Sequence, residues 1–223
     1  MASEQLTKSD AVIVRRKPDR ASYERADAYS ILDEALIAHV GISVDGQPFV
    51  IPMVFGRDGD RLILHGSVAT RLLRALDAGT PVCVTVTLLD ALVVARSQFH
   101  TSMNYRSVVV LGTARRISDL EGARRAMEAV VDHVIPGRSL EARAPTDAEL
   151  RQTTVLELPI ETASAKRRTG GPIEEPTDLE LPIWAGVLPL STAVGGPVAD
   201  GDVLAYVDVP ASLISYARPR NSA

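Results

Sequence analysis

The sequence has few of the residues that build disulfides and metal centres. Its 223 residues include one cysteine, Cys83, and four histidines. A single cysteine cannot form an internal disulfide. The histidines lie in different predicted elements, and no two have the spacing of metal ligands, so we expect no metal site. They are His39, His65, His100 and His133.

Positive charge and long hydrophobic runs are also scarce. The formal net charge is −4, so the chain as a whole lacks the basic footprint of a nucleic-acid-binding protein. No run of about 18 uncharged apolar residues occurs, which predicts that no segment spans a membrane. Residues 1–10 are polar and lack the apolar stretch of a signal peptide. We therefore expect a cytoplasmic protein that binds neither nucleic acid nor membrane.

The common catalytic signatures are absent as well. The sequence contains no GxSxG elbow, no HExxH pair, no GxxxxGK[ST] loop and no GxGxxG turn after a predicted strand. These absences argue against a hydrolase, a P-loop enzyme and a zinc enzyme.

What is present is the pattern of a mainly β globular domain. Hydrophobic residues make up 46% of the chain and charged residues 23%, an ordinary globular balance. Short runs rich in Val, Ile and Leu alternate with turn signals such as Asp45-Gly46, which favours a hairpin. Strands are predicted at 38–44, 47–55, 61–66, 82–88, 92–97, 105–117 and 154–162, and helices at 23–38, 68–78, 120–134 and 147–153.

These elements predict a β-barrel with helical additions. We expect residues 1–223 to form one domain, with a barrel core at about 14–162 and a C-terminal extension at about 163–223. From residue 166 onward the chain is rich in Pro, Gly and acidic residues, so this tail is predicted to be largely irregular.

A first candidate site lies where a predicted strand runs directly into a helix. His65, Gly66 and Ser67 end the strand, and Thr70 and Arg71 begin the helix. The N-terminus of a helix presents unpaired N–H groups to an anion. Two hydroxyls, one guanidinium and a glycine that admits close approach complete a pattern typical of a phosphate site. The alternative is that Ser67 only caps the helix and that Arg71 is solvated.

A second candidate is the polar segment at residues 102–107, where Ser102, Asn104, Tyr105, Arg106 and Ser107 gather at the start of a predicted strand. The alternative is a loop followed by a core strand, with Arg106 at the surface.

In series, these segments resemble the pyridoxamine-phosphate-oxidase-related, FMN-binding split-barrel family. The likeness is nearest to the branch of flavin-nucleotide-binding proteins that includes the nitroimidazole-resistance proteins. It rests on four stretches between about residues 14 and 120, namely 16–23, 49–53, 65–71 and 104–112, with weaker likeness at 164–168 and 184–189. The arginine-rich, Trp-containing end of true pyridoxamine-phosphate oxidases has no counterpart here, so oxidation of vitamin B6 is not implied.

The resemblance implies a split β-barrel of Greek-key type that forms a homodimer with two FMN sites at the interface. Lys166 and Arg168 would add positive charge there, or form a solvated basic turn. Trp184 would cover the flavin, or pack against the barrel. The remaining residues that the resemblance places at the flavin are Val50, Ile51, Pro52 and Met53 along the ring system, His65, Gly66, Ser67, Thr70 and Arg71 around the phosphate, and Ser102, Asn104, Tyr105, Arg106 and Ser107 nearby.

The expected function is that of an FMN-dependent oxidoreductase that acts on an unidentified small molecule and takes electrons from NAD(P)H. His65 is the candidate proton donor or acceptor, because histidine titrates near neutral pH. The alternative for His65 is a hydrogen bond to the flavin or to the backbone. The rival functions are a flavin-binding carrier or sensor without turnover, and a split barrel that holds haem or a deazaflavin. Haem would need an axial ligand, for which His65 is the candidate.

Overall fold

The computed structural model describes residues 4–216, in which one antiparallel sheet is surrounded by short helices. The strands are β1 (Ala21–Ser22), β2 (Ile37–Val44), β3 (Gln47–Asp58), β4 (Arg61–Ser67), β5 (Pro81–Val94), β6 (Ser102–Thr113), β7 (Arg115–Arg116), β8 (Thr153–Pro159), β9 (Thr162–Arg168) and β10 (Gly186–Pro189). The helices are α1 (Arg25–Glu34), α2 (Arg71–Asp77), α3 (Leu120–Val134), α4 (Asp147–Arg151) and α5 (Ala211–Ile214). Between residues 4 and 216, none of the helices is long and apolar enough to cross a membrane.

Strand β3 belongs to two parts of the sheet. The strand order is β1-β9-β6-β5-β2-β3-β4-β8-β7, and β10 pairs with β5. Residues 47–54 of β3 pair with β2, whereas residues 55–58 pair with β4. The barrel is therefore split along the first half of β3. The mainly β, split-barrel fold that the sequence predicted is confirmed.

Two hydrophobic clusters lie on opposite sides of the strands. The larger cluster fills the barrel and includes Phe55, Leu62 and Leu64. The smaller one joins α3 to the outer surface of β4 and β8 through Ile63 and Val155. Alternate residues of one strand point to opposite faces, so Ile63 and Leu64 serve different clusters.

One sequence prediction fails in the middle of the sheet. We expected two strands at 82–88 and 92–97 with a turn between them, but β5 is one strand. Its register with β6 shifts between Leu89 and Ala91. Asp90 is thus the extra residue of a β-bulge, which bends a strand without ending it. An acidic residue between two apolar runs resembles a turn signal, which explains the error.

The C-terminal part is also more ordered than predicted. Residues 162–168 form β9 along β6, where a single strand ending at 162 was expected, and residues 186–189 form β10. The apolar alternation that marks a strand is hidden in β9, because its inward residues are small and its last three are basic. The prediction of an irregular tail holds for most of the remaining described residues.

A buried ion cluster ties α1 to the sheet. Arg106 of β6 is only 7% exposed. Its guanidinium donates to Glu34 at 2.5 and 2.9 Å, and to Asp90 at 2.7 and 3.0 Å. The hydrogen bond to Glu34 raises the pKa of Arg106 most, and the hydrogen bond to Asp90 is the second cause. The bulge in β5 therefore brings Asp90 to a buried cation.

We predict that Arg106→Met destabilises the protein by about 3–5 kcal/mol, because it leaves two carboxylates poorly solvated and without their counter-charge. The free energy of unfolding, measured with urea, checks this value. Arg167 is the matched control, since it is an exposed arginine paired with Asp27, and Arg167→Met should cost less than about 1 kcal/mol. Equal losses in the two variants would contradict the prediction.

Candidate functional site

The split in the barrel leaves an open cleft beside β3. No strand among residues 4–216 pairs with the second edge of β3 from residue 47 to residue 54. Val50 is 65% exposed and Val54 41%. Pro52 fits this position, because proline lacks an N–H and is tolerated at a strand edge. This surface, which we call the β3 cleft, offers apolar side chains and free backbone groups to a flat ligand.

The predicted phosphate turn links β4 to α2. Thr70 is the N-cap of α2, but its hydroxyl makes no capping hydrogen bond. Arg71 has no ion-pair partner among residues 4–216, and its guanidinium carbon lies 5.2 Å from the centre of the Phe49 ring of β3. Arg71 therefore lies against the first half of β3, on the face of Phe49 rather than that of Val50 and Val54, and no carboxylate of the described residues neutralises its charge.

Gly66 and Ser67 each have a role in the protein's own structure that does not depend on a ligand. A Cβ atom at Gly66 would lie 2.9 Å from Cδ1 of Leu73, so packing of α2 on β4 by itself favours a glycine. The Ser67 hydroxyl accepts a hydrogen bond from the N–H of Ala69 at 3.3 Å. Their predicted contacts with a cofactor stay predictions.

His65 has an unusual environment in β4. It is partly buried, and its Nδ1 atom is buried without a hydrogen-bond partner. Burial lowers the pKa of His65, because a poorly solvated site disfavours the charged imidazolium. The neutral ring is therefore the stable form at neutral pH. A buried nitrogen without a hydrogen-bond partner destabilises a folded protein, so His65 is the strongest candidate at this turn for contact with a bound group.

The lowered pKa of His65 predicts how stability depends on pH. Between its folded pKa and its unfolded value of about 6.5, the unfolded chain binds more protons than the folded one. Stability should therefore fall as the pH drops below about 6.5, and His65→Gln should reduce that fall. Urea unfolding of both proteins between pH 5 and 8 checks this. Identical pH profiles would show that His65 titrates alike in both states.

The remaining basic candidates lie on β6 and β9. Tyr105 is in register with Arg168, and Ser107 with Lys166. Arg168 is 5% exposed and donates to Oδ1 of Asn104 and to the carbonyl oxygen of Gly171 at 3.0 Å. The structure thus places four of the predicted site residues near the buried Arg168, namely Asn104, Tyr105, Ser107 and Lys166.

Three predicted residues lie elsewhere. Arg106 bonds to carboxylates through all three of its nitrogens, so a direct contact with a flavin would have to break one of these bonds. Ser102 is exposed at the start of β6. Trp184 is 67% exposed, and its ring lies over Gly186. It is thus not buried against the barrel in this chain.

Within one chain the candidates form two separate groups. The first comprises the β3 cleft and the turn at 65–71, and the second comprises residues on β6 and β9. In the sheet order β6, β5 and β2 separate β9 from β3. Sequence reasoning missed Arg20 as a member of the second group, although its charge lowers the pKa of Arg168. Its place in the stretch 16–23, one of the four that carry the family resemblance, was the signal that could have found it.

These features define the class of the protein, which is a split antiparallel barrel with an open strand edge and two groups of candidate site residues. Residues 24–167 match the family model described as pyridoxamine 5'-phosphate oxidase. The match covers more than half of the chain. The protein therefore belongs to the pyridoxamine 5'-phosphate oxidase family.

Several solved structures resemble the whole chain or a large part of it. The flavocytochrome Anf3 from Azotobacter vinelandii is 39% identical, with a TM-score of 0.89 over 95% of this chain and 98% of that one. The FAD and haem binding protein from Mycobacterium smegmatis is 40% identical, with a TM-score of 0.85 over 89% and 98%. A candidate 5-nitroimidazole antibiotic resistance protein from Bacteroides thetaiotaomicron VPI-5482 is 26% identical, with a TM-score of 0.57 over 66% and 86%. No curated protein sequence matches the chain.

Proposed function

We propose that this protein is a cytoplasmic, flavin-dependent oxidoreductase. The observation that carries the proposal is the identity of 39% and 40%, over nearly the whole chain, with a flavocytochrome and with an FAD and haem binding protein. The flavin, when bound, supplies the electron or hydride chemistry, and the protein supplies position and charge. The proposed electron donor is NAD(P)H, and the acceptor is a small molecule.

The β3 cleft supports the place of the flavin ring. Its exposed apolar residues would cover the ring, while the unpaired backbone of β3 would meet the polar edge of the ring. Arg71 lies over the Phe49 ring of β3 without a carboxylate partner among residues 4–216, and the Thr70 hydroxyl makes no capping hydrogen bond. Both groups suit a phosphate oxygen. The resemblance in sequence implies FMN, whereas FAD is the flavin in the name of the Mycobacterium smegmatis relative.

A homodimer is part of the proposal. Ile37, Val50 and Val54 are 53%, 65% and 41% exposed on neighbouring strands, and an apolar surface of this kind favours association. A dimer would also unite the two groups of candidates that one chain keeps apart. The mass of the protein in solution, measured by light scattering, tests this step.

The first test is the visible spectrum of the purified protein before and after incubation with flavin. We expect a flavin band that stays with the protein through gel filtration, and the mass of the extracted flavin identifies it as FMN or FAD. Bleaching of this band by NAD(P)H without oxygen distinguishes an oxidoreductase from a carrier. Protein that retains neither flavin would contradict the proposal.

We predict that Arg71→Ala weakens flavin binding by about 1.5–3 kcal/mol, the scale of a hydrogen bond to a charged group. Quenching of flavin fluorescence measures the affinity. Arg74 is a control on the same helix, since it is an exposed arginine one turn further on, and Arg74→Ala should bind as the wild type does. An unchanged affinity in Arg71→Ala would show that the flavin phosphate does not bind at this turn.

Haem is a second candidate cofactor, alone or beside a flavin. Of the two structures that are 39% and 40% identical, one is named a flavocytochrome and the other an FAD and haem binding protein. A haem iron is commonly held by a neutral histidine nitrogen, and burial keeps His65 neutral. We expect added haem to give a shifted Soret band that His65→Ala abolishes. His100→Ala is the control, because His100 lies near Glu175 instead. A band that survives in His65→Ala would exclude His65 as the ligand.

A further inference from the structure

Arg168 is a buried cation without a counter-charge. It is 5% exposed, and its described partners are neutral oxygens. They belong to the Asn104 side chain and to the carbonyls of Gly170 and Gly171, at 3.3 and 3.0 Å for the two glycines. Burial is the main cause that lowers the pKa of Arg168. Buried charges are usually paired, since an isolated one is costly.

Two further cations lie near Arg168. Arg20 directly precedes Ala21, which pairs with Lys166 of β9, and its charge is the second cause that lowers the pKa of Arg168. Lys166 precedes Arg168 by two residues, which places both on one face of the strand. Its Nζ atom donates to the carbonyl oxygen of Arg16 at 3.3 Å. None of these cations has a carboxylate partner among residues 4–216. We call Arg20, Lys166 and Arg168 the basic face.

This lack of acidic partners is specific to one face of β9. Arg167, which lies between the two β9 residues and points the opposite way, forms an ion pair with Asp27 at 2.9 Å. On β6, the neighbouring Arg106 is neutralised by two carboxylates. The chain therefore supplies acids to arginines elsewhere on these strands but leaves the basic face positive, in a protein whose net charge is −4.

We propose that the basic face binds the pyrophosphate of a dinucleotide. The arginine guanidinium matches phosphate oxygens in pairs, and three cations suit two adjacent phosphates better than one. Tyr105 and Ser107, in register with Arg168 and Lys166, place two hydroxyls on the same face. The pyrophosphate could come from a flavin dinucleotide or from a nicotinamide dinucleotide donor. The choice between these sources rests on the proposed function, whereas the anion site itself does not.

The site is tested first with ADP, which carries a pyrophosphate and no flavin. We expect calorimetry to show binding to the wild type that inorganic pyrophosphate displaces. The double variant Arg20→Ala, Lys166→Ala should bind ADP at least about 10-fold more weakly, the scale of one lost charge-assisted contact. Both side chains are only partly buried, so the variant should keep the wild-type circular dichroism spectrum. Arg167→Ala is the control and should bind as the wild type does.

The source of the pyrophosphate is then tested with whole cofactors. If it is the flavin, the double variant should lose at least about 10-fold in affinity for FAD while its affinity for FMN stays the same. If it is the donor, flavin affinity should be unchanged and the dissociation constant for NADPH should rise by a similar factor. Either result supports the basic face as a pyrophosphate site.

Three results would overturn the inference. The first is a wild-type protein that binds no ADP. The second is a double variant with wild-type affinity for ADP, FAD and NADPH, and the third is an equal loss in Arg167→Ala. A protein that binds ADP at the basic face but retains no flavin would refute the proposed function and leave this inference intact.

Discussion

The change of partner along β3 is the constraint on which the rest of the structure depends. β2 pairs with one edge of β3 along residues 47–54, whereas β4 pairs with the other edge only along residues 55–58 and continues along β8. Phe55 enters the barrel where that pairing begins. The first half of β3 keeps an open edge, at which Pro52 is tolerated. One feature thus closes the core and creates the β3 cleft.

Two buried arginines on neighbouring strands show how charge is distributed around this sheet. Arg106 faces the interior and is neutralised by Glu34 and Asp90. Arg168 lies on the opposite face of the sheet and has only neutral oxygens around it. The first arrangement suits a structural role, because its charges already balance. The second leaves a positive potential, which suits an anionic ligand.

The predicted phosphate turn contains residues that pack α2 on β4 and residues that are candidates for ligand binding. Gly66 is favoured where Leu73 of α2 meets β4, while His65, one residue earlier, points to the other face with an unpartnered nitrogen. The flavocytochrome covers 95% of this chain and the 26% identical protein covers 66%, so the second structure shares only part of the fold.

Local signals in the sequence determined several elements correctly. Asp119 caps α3 through the N–H of Gly122 at 2.6 Å, and Asp45-Gly46 forms the expected hairpin with positive φ at both residues. These features depend on neighbours a few residues away. Tertiary structure alone decided that Asp90 forms a bulge and that Arg106 is neutralised, because these partners lie 16 and 72 residues apart along the chain. Strand register brings such residues together, and no local pattern encodes it.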